Sequence, residues 1–346
     1  MISRFKGKRG RRVVAVLLVM LAFVASWWRT VPVQGDLADL HLVPLRFDPA
    51  AHGQWRVTGL WDVQSADIRF GGYSALLLGD NGRFLAFSDR GRRLSFGAPG
   101  LAATAGAQAD QLPDRGVEQD LFDIESAARD PQTGTYWLGY EGVHAVHRYR
   151  ADNRADGHVL LPDNWPQNSG AESLVRLADG QFVLLPEDAA QLCRFAGDPV
   201  AGADMACTPV TWPEAGYSAT DAVQLADGRL LVLMRRLVLG MPPTFDSLLV
   251  AGPLPAPDEE WQPQVLLHLE DLLPRENYEG MALRPLANGS QELWLIADDN
   301  FSMFQRTLLA RLVLAPADSS VDSSAESEAD SESAHEKARE GRAIAR

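Results

Sequence analysis

A strand–turn–strand unit returns five times along this chain. It reads GGYSALLLGDNGRFLAFSDRG from Gly71, FDIESAARDPQTGTYWLGYEG from Phe122 and GAESLVRLADGQFVLLPED from Gly170. It reads GYSATDAVQLADGRLLVLMRR from Gly216 and NYEGMALRPLANGSQELWLIADDN from Asn277. Aligned on the first strand, Ser74, Glu125, Glu172, Asp221 and Glu279 take one place, at steps of 51, 47, 49 and 58 residues. A period near 50 with several strands per unit predicts a propeller or another repeat array. The turns between paired strands are DNG, PQTG, ADG, ADG and ANG. Asn-Gly and Asp-Gly are strong hairpin signals, because the turn needs residues with positive φ. No segment before residue 325 has sustained helical periodicity.

The expectation is therefore all-β: one propeller over residues 40–316, with five four-stranded blades. Six are expected if residues 36–60 or the long fourth unit conceal another. The third unit divides into strands at Ser173–Leu177, Phe182–Leu185, Gln191–Phe195 and Thr208–Trp212. Upstream, His41–Phe47 and Arg56–Val63 read as strands. Arg56–Val63 precedes the first unit much as Gln264–Leu269 precedes the last, and the last unit runs out after Thr307–Leu314. Pairing Arg56–Val63 with Thr307–Leu314 would close the ring and remove the exposed sheet edges.

The ends of the chain differ from its middle. Residues 1–29 carry seven basic groups and no acids, and an apolar run, VVAVLLVMLAFVASWW, follows the basic start. This pattern reads as an export signal or an uncleaved inner-membrane anchor, with residues 30–39 a linker. Ala22, Ala25 and Ser26 permit cleavage, while Trp27 and Trp28 suit a membrane interface. Both readings place the rest in the periplasm or outside the cell, with membrane contact only through this segment. Residues 317–346 lack aromatic residues and carry a net charge of −4, the composition of a disordered acidic tail. The overall charge of −14 then leaves −17 for residues 30–316. Such a field repels nucleic acid. In an oxidising compartment, Cys193 and Cys207, the only cysteines, are expected to be bridged across one hairpin.

The inner strand of each blade lines the channel, so the aligned acids Glu125, Glu172, Asp221 and Glu279 should converge. Crowded carboxylates either raise each other's pKa or bind a cation. An all-oxygen set favours Ca²⁺ over Zn²⁺. The bland alternative is a wet channel whose acids bond the neighbouring blade's amides. Asp89, Arg90, Glu141, Glu187, Arg235, Asp298 and Asn300 end the second strands and should meet at one mouth. A mixed rim of this kind suits a metal and an anionic group, or else is ordinary turn chemistry. Ser74 lacks the Gly-x-Ser-x-Gly elbow of a triad hydrolase. His144 and His147 are three apart on a strand and so face opposite sides.

These motifs resemble the phytase-like β-propeller family, described as "esterase-like activity of phytase". The resemblance rests on GYSAL with GRFLAFSDRG, then DIES, YEG, AESL, and NYEGMA with LIADDNF, over about Val57–Leu314. It implies an exported bacterial propeller with a loosely defined hydrolytic activity. It carries over Asp89, Arg90, Glu125, Glu141, Glu172, Glu279, Asp298, Asp299 and Asn300 as site positions. Ser74 departs from the acidic ring, Met234-Arg235-Arg236 departs from the acidic strand ends, and Lys occurs only at 6, 8 and 337. A phytate site dense in calcium would want several lysines. Two functions stay open: a monomeric, metal-assisted hydrolase of a small phosphate or carboxylate ester, and a non-catalytic propeller binding a small ligand or envelope partner. A calcium lactonase is a third reading, by fold analogy alone.

Overall fold

A computed structural model describes residues 40–316, apart from 68, 101–105, 113–122, 163–164, 166–169, 188–189 and 303. The expected export segment, linker and acidic tail lie outside the described residues. Among those described, no helix is long and apolar enough to cross a membrane.

The strands run in chain order: β1 His41–Pro44, β2 Ala51–His52, β3 Trp55–Gln64, β4 Tyr73–Leu78, β5 Arg83–Ser88, β6 Arg92–Gly97 and β7 Gln108–Gln111. Then follow β8 Ile124–Arg129, β9 Tyr136–Tyr140, β10 Ala145–Tyr149, β11 Ala155–Leu160, β12 Ala171–Arg176, β13 Phe182–Pro186, β14 Gln191–Phe195 and β15 Met205–Pro209. The last are β16 Ser218–Gln224, β17 Leu230–Val238, β18 Thr244–Gly252, β19 Gln264–His268, β20 Tyr278–Pro285, β21 Gln291–Ala297 and β22 Leu308–Leu314. Blades 1 to 4 are β4–β7, β8–β11, β12–β15 and β16–β19, each an antiparallel sheet in chain order. Blade 5 takes β20, β21 and β22 from the end of the chain and β3 from its beginning. The inner strands β4, β8, β12, β16 and β20 neighbour one another around the ring. Among the described residues there are five blades and no sixth: residues 51–64 supply strands to blade 5, and the long fourth unit is a blade with extended middle strands.

Closure follows the predicted pairing. Leu308 lies opposite Asp62 and Leu314 opposite Trp55. Leu60, Leu308 and Leu312 join the core shared with blade 4. β1 adds an edge strand beyond β3, with His41 opposite Gln64; it stops at Pro44, short of the expected Phe47. β15 also sits earlier than the expected Thr208–Trp212. Cys207 pairs with Cys193 in its register, and Val210 leaves the sheet to bridge Trp261. The two cysteines form a disulfide with Cα atoms 4.0 Å apart, a little below the usual range of about 4.4–6.8 Å.

The core is a set of blade-to-blade interfaces. Successive inner-strand residues face the preceding and the following blade in turn, as strand pleating requires. Leu76 packs with blade 5 residues such as Trp294, while Ala75 packs with blade 2 residues such as Leu138.

Candidate functional site

Each inner strand carries one residue too many. Its register skips between Tyr73 and Ala75, Ile124 and Ser126, Ala171 and Ser173, Ala219 and Asp221, and Tyr278 and Gly280. The extra residues are Ser74, Glu125, Glu172, Thr220 and Glu279. A bulge leaves its residue out of the ladder and re-aims the side chain, here five times at one level of the channel.

The fourth copy corrects the sequence alignment. Thr220, not Asp221, holds the bulge, and its hydroxyl donates to the Leu233 carbonyl. Asp221 is one residue on and faces blade 5, where it accepts from the Met281 amide at 2.6 Å; it also accepts from the Ala222 amide. Ser126 holds the same place in blade 2 and reaches the carbonyl of Ala171 in the next blade. In blade 5 the place falls to Gly280, where a Cβ would come within 2.8 Å of the Leu76 backbone. Asp221 is therefore a blade-to-blade tie, outside the ring formed by Glu125, Glu172 and Glu279. Burial holds its carboxyl well above the usual range, against the two amide bonds that favour the charge.

Two residues further along each strand stand Leu76, Ala127, Leu174, Ala222 and Met281, all buried. The acidic layer thus stands on an apolar floor. Beneath that floor a cavity of about 470 Å³, lined by residues such as Leu78, Leu177 and Leu283, opens at the opposite end of the propeller.

Above the bulge level stand the ends of the second strands. The pairs Tyr73–Ser88, Ile124–Tyr140, Ala171–Pro186, Ser218–Arg235 and Tyr278–Ala297 place Asp89, Glu141, Glu187, Arg235 and Asp298 at one rim. The residue two before each bulge completes the site: Asp123 and Asn277 here, Gly72 and Gly170 elsewhere. Their carbonyls tie the rim down, Asp89 N–H donating to Gly72, Glu141 to Asp123 and Asp298 to Asn277. The two glycines leave room for carboxylates. A Cβ on Gly170 would overlap Glu141 at 2.4 Å, and one on Gly72 would meet Asp89 at 2.5 Å.

The site has two unlike halves. On the blade 4–5 side the Arg235 guanidinium pairs closely with Glu279, donates to Asn277 Oδ1 at 2.7 Å and lies 3.7 Å from Glu187. Asn277 also donates to Glu279 at 2.8 Å. On the blade 2–3 side the carboxylates crowd more closely, and Arg235 reaches them at Glu187. Asp123, Glu125 and Glu141 bring oxygens within 4.8 Å of one another, and so do Glu141, Glu172 and Glu187. Glu172 is buried, yet its carboxylate accepts no hydrogen bond among the described residues. Glu125 is hemmed in by protein but keeps surface that water reaches, as a side chain facing a narrow pit would.

The carboxyl groups respond to this crowding. Burial pushes Asp89 up to about 6, against the Ser88 hydroxyl and Arg90. Burial, then the charges of Asp123 and Glu187, push Glu141 up to about 7. Burial holds Glu125 well above the usual range, with the like charge of Glu172 next in effect. The same holds for Glu172, with Glu187 next in effect, and for Asp298, with Glu279 next.

The other predicted positions are peripheral. Asn300 is exposed, its side chain donating to Gln305 and its backbone amide donating to the Asp298 carboxylate. Arg90 is exposed and stacks 3.4 Å from the Phe301 ring centre, so the two arginines expected at the mouth part ways: Arg235 enters the pit and Arg90 does not. Asp299 braces the rim, accepting from the amides of Gly72 and Phe301. His147 is buried and stacked on His158. Sequence reasoning missed Asp123, Asn277 and Thr220. The turn glycine was the available signal for Thr220: Ser74, Glu172 and Thr220 each lie eight residues before Gly82, Gly180 and Gly228, all three at positive φ.

A five-bladed propeller with a blind, carboxylate-lined pit at one mouth defines the class of protein. The phytase-like family model, "esterase-like activity of phytase", matches residues 68–301, and the chain belongs to that family. No curated protein matches it. Solved propellers are similar in fold at low identity. Myxococcus xanthus glutaminyl cyclase is 11% identical, with 75% of this chain and 96% of that one covered, at a TM-score of 0.46. The RRP9 WD40 repeats are 9% identical, with 77% and 86% covered, at 0.40. The Myceliophteria thermophila Cps50 (Swd1) propeller is 10% identical, with 73% and 98% covered, at 0.39.

Proposed function

We propose that the pit is a divalent-cation site, and that the protein is an exported hydrolase of small phosphate or carboxylate esters. One observation carries this reading: two carboxylate triads share Glu141, and buried Glu172 in one of them accepts no hydrogen bond. These carboxylates outnumber the one guanidinium beside them, Arg235, and such an excess is costly unless a cation compensates. Asp123, Glu125, Glu141, Glu172 and Glu187 would hold it. Donors that are all oxygen suit Ca²⁺. When bound, such a cation supplies Lewis-acid polarisation of an ester oxygen.

The chain's own groups would do the rest. Asp89 and Glu141, with pKa values near neutrality, are placed to take a proton from a water molecule at the rim. Arg235 presents a fixed positive charge at the same level for the negative charge that develops on the ester. The apolar floor closes the pit below and keeps bulk water to one side.

Arg235 also supports a second reading, in which the pit is a partly self-neutralised network that binds a ligand without turning it over. Hydrolysis of p-nitrophenyl phosphate and p-nitrophenyl acetate, with Ca²⁺ and after EDTA, separates the two. Calcium-dependent turnover lost in Glu172→Gln with folding intact supports the hydrolase. Calcium binding without turnover of either ester supports the binding protein. No calcium binding removes the metal from the site.

A further inference from the structure

Four of the six large apolar side chains exposed among the described residues stand at the acidic end of two adjacent blades. Leu237, Leu239 and Met241 are 53%, 87% and 93% exposed on one hairpin of blade 4. Phe304, 62% exposed, lies in the β21–β22 connection of blade 5. β17 and β18 run three residue pairs past Arg235, to Val238 opposite Thr244. At about 3.4 Å per residue the tip therefore stands roughly 10 Å beyond the rim. From Leu237 the sequence is LVLGMPPT, without a charge. Charged groups collect at its base, where Arg236 and Arg275 reach Asp246 at 3.0 and 2.7 Å. An uncharged, protruding apolar tip above arginines has the layered polarity of the bilayer interface.

The course of the chain gives an independent reason to place lipid at this end. His41 pairs with Gln64, which lies beyond Asp62, the partner of Leu308. Leu308 begins β22 directly after the loop that carries Phe304. The described chain therefore enters at the acidic end, on the outer edge of blade 5. Upstream lies VVAVLLVMLAFVASWW, ending at Trp28, and eleven residues separate it from Leu40. Fully extended, eleven residues span at most about 40 Å. The opposite end is also apolar, but its side chains line the recessed cavity under the floor instead of protruding. The chain leaves there, with Pro316 close to Gly289 of the β20–β21 turn.

We propose that the acidic end of blades 4 and 5 rests on a zwitterionic lipid surface, with Leu239, Met241 and Phe304 in the boundary between headgroups and acyl chains. Membrane contact then extends beyond the N-terminal segment and fixes the orientation of the propeller, with the pit opening beside the bilayer. This holds whether or not the pit is catalytic.

The test uses the full chain with a single added thiol, Met241→Cys, Phe304→Cys or Asn288→Cys. The native cysteines are bridged, so only the added thiol takes an environment-sensitive fluorophore. Each protein is reconstituted with phosphatidylcholine vesicles, with and without bromine on the acyl chains. The expected result is at least twofold quenching by brominated lipid at 241 and 304 and none at 288, in the opposite turn. Adding Leu239→Ser and Phe304→Ser to the 241-labelled protein should remove most of the quenching, with the circular dichroism unchanged. Absence of quenching at both 241 and 304 overturns the proposal. So does a spectral change at 241 that appears without vesicles as protein concentration rises, since the patch would then join two copies of the chain.

Discussion

Arg235 is the one cation among the ten side chains that the five bulges and five strand ends bring to the pit, and seven of those ten are carboxylates. Its guanidinium offsets Glu279 and Glu187, while Asp123, Glu125, Glu141 and Glu172 crowd beyond its direct reach. Removing one partner of a buried ion pair costs about 3–5 kcal/mol, because the other is left uncompensated. Arg235→Met should therefore lower unfolding free energy by about that amount in urea melts. Arg235→Met combined with Glu279→Gln should recover most of it. Asp221 allows a second test at this scale. Asp221→Ala strands the buried Met281 amide, a loss of about 1–3 kcal/mol, yet it should leave calcium affinity unchanged. Glu172→Gln should do the reverse, weakening calcium binding at little cost in stability. Equal effects of both on calcium titration would put Asp221 back in the ring. The sequence put it there because a Thr-Asp pair offers an acid one residue from the bulge. Residue type was followed where the count back from the turn glycine would have decided.

Elements were legible because each repeats a local instruction. The turn glycines Gly82, Gly134, Gly180, Gly228 and Gly289 all take positive φ, and each closes a hairpin that the sequence marks with a glycine preceded by a polar residue. Closure by Arg56–Val63 was legible for the same reason: the last unit runs out of chain one strand short, and that stretch precedes the first unit as Gln264–Leu269 precedes the last. Bulges were not legible, since one extra residue changes no periodicity visible over six residues. Nor were Asp123 and Asn277, whose role depends on a carbonyl that pins the neighbouring strand end. The disulfide gives the prediction at this scale. It crosses β14 and β15 with a sequence separation of 14, and loops of that length contribute about 3 kcal/mol by chain entropy. Cys193→Ala with Cys207→Ala should lower stability by about 2–3 kcal/mol in denaturant melts. Calcium binding should not change, because the bridge ties an outer hairpin of blade 3 far from the inner strand.

For the whole molecule the acidic pit sets how stability depends on pH. Burial raises Asp89 to about 6 and Glu141 to about 7, and holds Glu125, Glu172 and Asp298 well above the carboxylate range. In the unfolded chain these groups titrate near pH 4. Between that pH and their folded values the native state binds more protons than the unfolded one. Stability from these groups is then full below about pH 4 and falls as pH rises through 6 and 7. Ion-paired acids run the other way: the Arg69 hydrogen bond lowers Asp67, so its contribution is lost only in stronger acid. The metal-free protein should therefore melt at a lower temperature at pH 8 than at pH 5. A cation that binds the ionised pit opposes this loss, by an amount that grows with its concentration over Kd. Millimolar Ca²⁺ should raise the pH 8 melting temperature and leave the pH 5 value nearly unchanged, where protons already occupy the carboxylates. Melting curves at both pH values, with Ca²⁺ and with EDTA, measure this directly. A calcium effect equal at pH 5 and pH 8 would place the bound ion on carboxylates other than these.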